Sequence, residues 1–173
     1  MFTFSIDSDS YKSLKNVLKL ELYDSENYTP AVISAVCSKL YECKAFTFKL
    51  CFGDGDEIEL PIDCEFSIFL EQLPDVMNAS KNENVHSFII RFFEQGFNFS
   101  VLIQKNDGIY SVSFDTSHCD GIERKGYEIE FTDFELMLQG IAQDFMNVAI
   151  EIFPELSNNK AFKQWGCEIG ITG

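Results

Sequence analysis

The chain opens on a two-residue alternation, Phe2, Phe4 and Ile6 separated by smaller residues, which is the period of a half-buried strand over residues 1–6. An Asp/Ser cluster suited to a helix start follows. From Tyr11 the spacing changes: Leu14, Val17, Leu18 and Leu22 recur three and four apart with Lys12, Lys15 and Lys19 opposite, predicting an amphipathic helix to about Tyr23. Thr29 followed by Pro30 is a cap and first-turn signature, and Val32, Ile33, Val36 and Leu40 supply the buried stripe of a second helix to about Tyr41. The period then returns to two at Phe46, Phe48 and Leu50, continuing to Phe52. After Gly53-Asp54-Gly55-Asp56, Ile58, Leu60 and Ile62 alternate with Glu57, Glu59 and Pro61, which reads as a hairpin whose second strand lies at an edge or ends at the proline.

Asp63 reads as the cap of a third helix with Phe66, Phe69, Leu70, Leu73 and Met77 on one face, closed by the polar stretch NASKNEN. Pro74 is expected to kink or shorten it. HSFIIRFFE, FNFSVLIQK and IYSVSFD, joined by Gln95-Gly96 and Asn106-Asp107-Gly108, predict an antiparallel meander, since a parallel return needs a dozen or more connecting residues. Tyr127, Ile129 and Phe131 alternate with Glu128 and Glu130 in one more strand. Thr132 and Glu135 have the spacing of a capping box opening the longest helix, with Phe134, Leu138, Ile141, Phe145, Val148 and Ile152 on its inner face and Pro154 as its stop. Phe162 and Trp165 mark a tail that docks as a short element. The pattern as a whole predicts one α+β domain over residues 1–173: an antiparallel sheet with a hairpin and a three-strand meander, packed by helices including a long C-terminal one.

With 173 residues, 46% of them hydrophobic, the chain can withdraw about 70% of its unfolded surface from water and needs no staple. Its six cysteines are therefore expected to be reduced thiols used for packing, in keeping with a start, MFTFSIDSDS, that lacks the basic and apolar regions of a secretory signal. A cytoplasmic location follows from that reading. No pair of cysteines has CxxC spacing, and the two histidines are His86 and His118. His118-Cys119 puts a thiol beside an imidazole, but neighbours on an extended segment point to opposite faces, so a polar loop is the expected role.

Charge changes the picture more. The net charge of -15 leaves few basic groups for phosphates or an anionic bilayer, which argues against nucleic acid and membranes as partners. Residues 51–76 hold eight acids and no Lys or Arg, and residues 114–135 hold seven acids and two bases. Asp54, Asp56, Glu57, Glu59, Asp63 and Glu65 in the first segment, and Asp120, Glu123, Glu128 and Glu130 in the second, are the candidate partner-binding residues. The strand alternation turns Glu57, Glu59, Glu128 and Glu130 outward, so that one sheet face becomes an anionic plate. Such a plate serves either a cationic partner or solubility alone.

Dedicated chemistry is not legible. Asp54, Asp56 and Glu65 stand at positions one, three and twelve of a calcium loop, yet Ile58 and Glu59 occupy positions five and six, which excludes an EF-hand pattern. There is no P-loop, dinucleotide glycine pattern or GxSxG elbow, so neither a cofactor nor catalysis is expected.

A small acidic α+β chain carrying segments such as DGDEIELPIDCE and GYEIEFTDFE resembles the immunity proteins of bacterial polymorphic toxin systems, including contact-dependent growth inhibition. The resemblance implies a cytosolic inhibitor that binds one cognate toxin domain, often a basic nuclease, and covers its active site. Two other classes share the composition: a secretion chaperone, which would present an exposed apolar groove, and a hydrolase with a deep pocket lined by carboxylates or by His118 and Cys119.

Overall fold

The computed structural model of the chain describes residues 2–6, 14, 19–20, 28–51, 57–92, 99–115 and 126–171. The helix expected over 11–23, apart from three single positions, and the turns at 53–56 and 95–96 lie outside the described residues, as does His118-Cys119.

Among the described residues seven strands form two antiparallel sheets. The first holds β1 (Phe2–Ile6), β2 (Phe46–Cys51) and β3 (Glu57–Leu60) in that order, and the second holds β4 (Ser87–Phe92), β5 (Phe99–Asn106), β6 (Ile109–Asp115) and β7 (Tyr127–Glu130). Four α-helices among the described residues complete the α+β fold: α1 (Thr29–Cys43), α2 (Ser67–Lys81), the long C-terminal α3 (Phe131–Ile152) and α4 (Lys160–Glu168). The hairpin is β2–β3 and the meander is β4–β5–β6, with β7 added beyond it. Between β5 and β6, Asp107 and Gly108 both take positive φ, 40° and 92°, the requirement of the tight type I′ turn whose twist matches the strands it joins.

The aromatic residues bind the layers into one core. Phe2 of β1 packs on Phe69 of α2 with ring centroids 4.8 Å apart and on Phe92 of β4 at 5.8 Å, so the two sheets meet through β1 and β4. Phe48 meets Phe66 at 4.7 Å, Phe66 meets Phe145 edge-on at 5.7 Å, and Phe145 meets Trp165 edge-on at 5.7 Å, which carries the core from β2 through α3 to α4. Helix α3 packs against β1, β6, β7 and α2 and so spans both sheets. No helix among the described residues is long and apolar enough to cross a membrane.

Four local expectations are corrected. Asp63 caps no helix: it lies in a π-helical turn, Ile62–Phe66, in which Phe66 N–H donates to Pro61 O at 3.0 Å, and α2 begins only at Ser67. The wide turn brings both Ile62 and Phe66 into the core, an apolar gain that a cap at Asp63 would forfeit. Ile62 accordingly belongs to that turn and not to β3. Pro74 does not shorten its helix, which continues to Lys81. Thr132 and Glu135 form no capping box, because Phe131 is already the first helical residue: its N–H donates to Gly108 O at 3.3 Å and its ring stacks on Tyr110 at 4.1 Å. Glu135 instead accepts a 2.7 Å bond from the Ser80 hydroxyl.

Candidate binding surface

The expected single anionic plate is two separate surfaces, since β3 edges one sheet and β7 edges the other. On the first sheet the alternation buries Phe46, Phe48, Leu50 and Leu60 and leaves Glu57 and Glu59 exposed. Lys49 of β2 shares that face. It stands opposite Glu59 in register and forms an ion pair with Glu57, and the Glu57 carboxylate holds the Lys49 ammonium above the usual lysine range. The β3 glutamates are thus partly compensated by a cation outside the acidic segment.

On the second sheet, Val112, Ile129 and Tyr110 face inward while Glu128 and Glu130 are exposed, opposite Ser111 and Ile109. Neither glutamate pairs with a described lysine or arginine. The ladder also fixes the direction of the backbone. The Phe131 N–H bond to Gly108 O sets the hydrogen-bonded pairs as Gly108 with Phe131, Tyr110 with Ile129 and Val112 with Tyr127. The N–H and C=O of Glu128 therefore point away from β6, and no described strand lies beyond them.

The opposite edge of this sheet is treated differently. Lys105 N–H donates to His86 O at 2.9 Å, which turns the backbone groups of Ser87, Ile89 and Arg91 outward from β4. There the Gln72 side chain of α2 accepts from Arg91 N–H and donates to Arg91 O, both at 2.9 Å, and covers the edge at that one residue as a further strand would.

The other candidate residues fare unevenly. Glu65 is fully buried, so its expected place on a binding surface is withdrawn: the π-helical turn rotates it inward, a change that side-chain polarity alone does not announce. Asp63 is half-buried beside it. Burial, followed by the charges of Glu71 and Asp63, raises the buried Cys37 thiol well above its ordinary value, and burial likewise raises Glu71 against a hydrogen bond from Ser67. Asp54, Asp56, Asp120 and Glu123 lie outside the described residues.

A feature the sequence reading missed is an open cleft of about 460 Å³ where α2 ends, lined among others by Ser80, Glu83, His86, Lys105, Asp107 and Phe131. Lys105 Nζ closes its inner side by donating to the carbonyls of Ala79, Ser80 and Asn82 at 2.7–2.8 Å, a tethered cation at the negative end of a helix. The available signal was a lysine at a strand end just before an Asn-Asp-Gly turn, which names no helix partner. Among the described residues no group of three or more His, Cys, Asp or Glu side chains is disposed to hold a metal ion. The described surface offers ion pairing and main-chain hydrogen bonding at β7, beside a cleft of mixed charge. No family model, curated protein or solved structure matches the chain.

Proposed function

We propose that the protein is a cytoplasmic inhibitor that neutralises a cognate bacterial toxin domain, a basic nuclease, by covering its active site. The observation that carries this reading is the exposure of Glu57, Glu59, Glu128 and Glu130 on the outer faces of two sheets in a chain of net charge -15. Like charges held side by side on a strand repel by some tenths of a kcal/mol per pair, and a cationic partner turns that cost into attraction. Carboxylates then stand in for the phosphates the toxin would otherwise bind. The chaperone alternative draws less support, because the large exposed apolar side chains among the described residues are Tyr28, Tyr41, Ile89 and Leu136, one or two to an element.

The test is reversal of the four glutamates to lysine. All four side chains are exposed, so the fold is expected to survive, while association with the toxin slows by about ten- to a hundredfold and growth protection fails. Association of the native protein should also slow as salt rises, since steering is screened beyond a Debye length of ~8 Å at physiological ionic strength. Full protection with unchanged kinetics would assign the glutamates to solubility.

A further inference from the structure

We infer that β7 is an edge for strand addition: an extended basic segment of the partner pairs with the outward backbone of Glu128 and continues the second sheet as a fifth strand. This rests on the inhibitor reading and specifies its mode of recognition. Three observations carry it. The register directs the N–H and C=O of Glu128 away from β6, and among the described residues no backbone or side-chain group bonds them. At the far edge of the same sheet Gln72 takes up the outward N–H and C=O of Arg91, whereas no described group takes up those of Glu128. The two residues that line the open edge, Glu128 and Glu130, are exposed and lack a described counter-ion, whereas Glu57 on β3 is already paired with Lys49.

The charge selects the occupant. A second copy of this chain pairing edge to edge would set glutamate against glutamate, and like charges directly opposite across strands are destabilising. A segment with lysine or arginine at alternate positions places its cations on the same face as Glu128 and Glu130, because side chains two apart share a face. Main-chain bonds supply the attachment and the alternate charges supply the selection.

The test needs no toxin, so it can fail independently of the inhibitor reading. A heptapeptide alternating lysine with valine is added to the ¹⁵N-labelled protein, with a glutamate-valine heptapeptide as control, and amide exchange is followed. The Glu128 amide is expected to gain roughly tenfold protection with the basic peptide and none with the acidic one. Glu128→Pro removes the outward N–H without touching the Tyr110–Ile129 pair and, since residue 128 then has no amide to follow, should abolish the peptide-induced shifts of the neighbouring Tyr127 and Ile129 amides. Glu128→Gln keeps the backbone donor and should retain the protection at reduced affinity. Absence of protection at Glu128 with either peptide, equal protection by both, loss on Glu128→Gln as complete as on Glu128→Pro, or protection that grows with protein concentration in the absence of peptide would overturn the inference.

Discussion

The indole N–H of Trp165 donates to the carbonyl of Leu70 at 3.0 Å, across 95 residues of chain. Leu70 is the residue four before Pro74, and proline has no N–H to return to that carbonyl. The acceptor that Pro74 strands inside α2 is therefore satisfied by α4. This explains how a helix with an internal proline runs on for another seven residues, and it makes the chain's one tryptophan part of the backbone bookkeeping of a different helix.

Trp165→Phe should keep much of the aromatic packing on Phe145 and Phe162 yet leave the Leu70 carbonyl buried and unbonded, at a cost of about 1–3 kcal/mol. In a Pro74→Ala background the helical N–H of residue 74 returns to Leu70, so the same substitution should cost markedly less. Urea denaturation of the four proteins, followed by far-ultraviolet circular dichroism, measures the coupling. Additive costs would mean that the proline and the tryptophan are unrelated.

Lys105 stands in a similar relation to the end of α2. Its three hydrogens go to three carbonyls of the last turn, and the Tyr110 hydroxyl also reaches Ser80 O at 3.4 Å. Lys105→Met preserves the stem and removes the cation, and should destabilise the protein by about 2–3 kcal/mol. Because the contacts are short hydrogen bonds, the loss should persist at 0.5 M salt, which stability curves at two ionic strengths would show.

Periodicity made the strands and the bodies of α1, α2 and α3 legible: the apolar faces anticipated for residues 32–40, 66–77 and 134–152 are the buried ones. What escaped it has a common physical origin in contacts remote along the chain. Phe131 looks like the last inward residue of β7 until Tyr110 is beside it, and that stacking starts α3 before the Thr132–Glu135 signature can act. Glu65 looks like surface until a π-helical turn rotates it inward. The division into two sheets was hidden because alternation specifies which face of a strand is buried, not which neighbour it pairs with. For the candidate surface, the exposure of Glu57, Glu59, Glu128 and Glu130 was readable from alternation. The pairing of Lys49 with Glu57 and the cover that Gln72 gives Arg91 on the β4 edge were not.

Phe145 tests the core assignment directly. It is fully buried and meets Phe66 and Trp165 edge-on, so it joins the first sheet's aromatic cluster to α4. Phe145→Ala should cost about 3–5 kcal/mol, while Phe145→Leu should recover part of that loss. Chemical denaturation of both variants decides it, and a loss under about 1 kcal/mol for the alanine would mean that α3 presents a different face to the core.

Alkaline pH should expose how three acids, Cys37 and Tyr110 buried and Tyr127 partly buried, are held. Burial, with a smaller push from Cys51, raises the Tyr127 phenol to about 12. Burial also raises Tyr110, against the hydrogen bond to Ser80 and with a small addition from Glu135, and raises Cys37 more strongly still. An unfolded chain ionises tyrosine near its ordinary value of about 10, whereas the folded chain keeps the Tyr127 proton until about pH 12. Between those values the native state binds more protons than the unfolded state, so stability is fully present below pH 10 and falls as pH rises, by up to ~1.4 kcal/mol per pH unit for each such group. Cys37 begins the decline earlier, because an unfolded thiol ionises near 9. Urea midpoints at pH 8, 10 and 11 should therefore drop progressively, and Tyr127→Phe should flatten the part of the slope above pH 10. A Tyr127→Phe profile parallel to the native one would show that the phenol is hydrated in the folded protein and that its proton is not linked to folding.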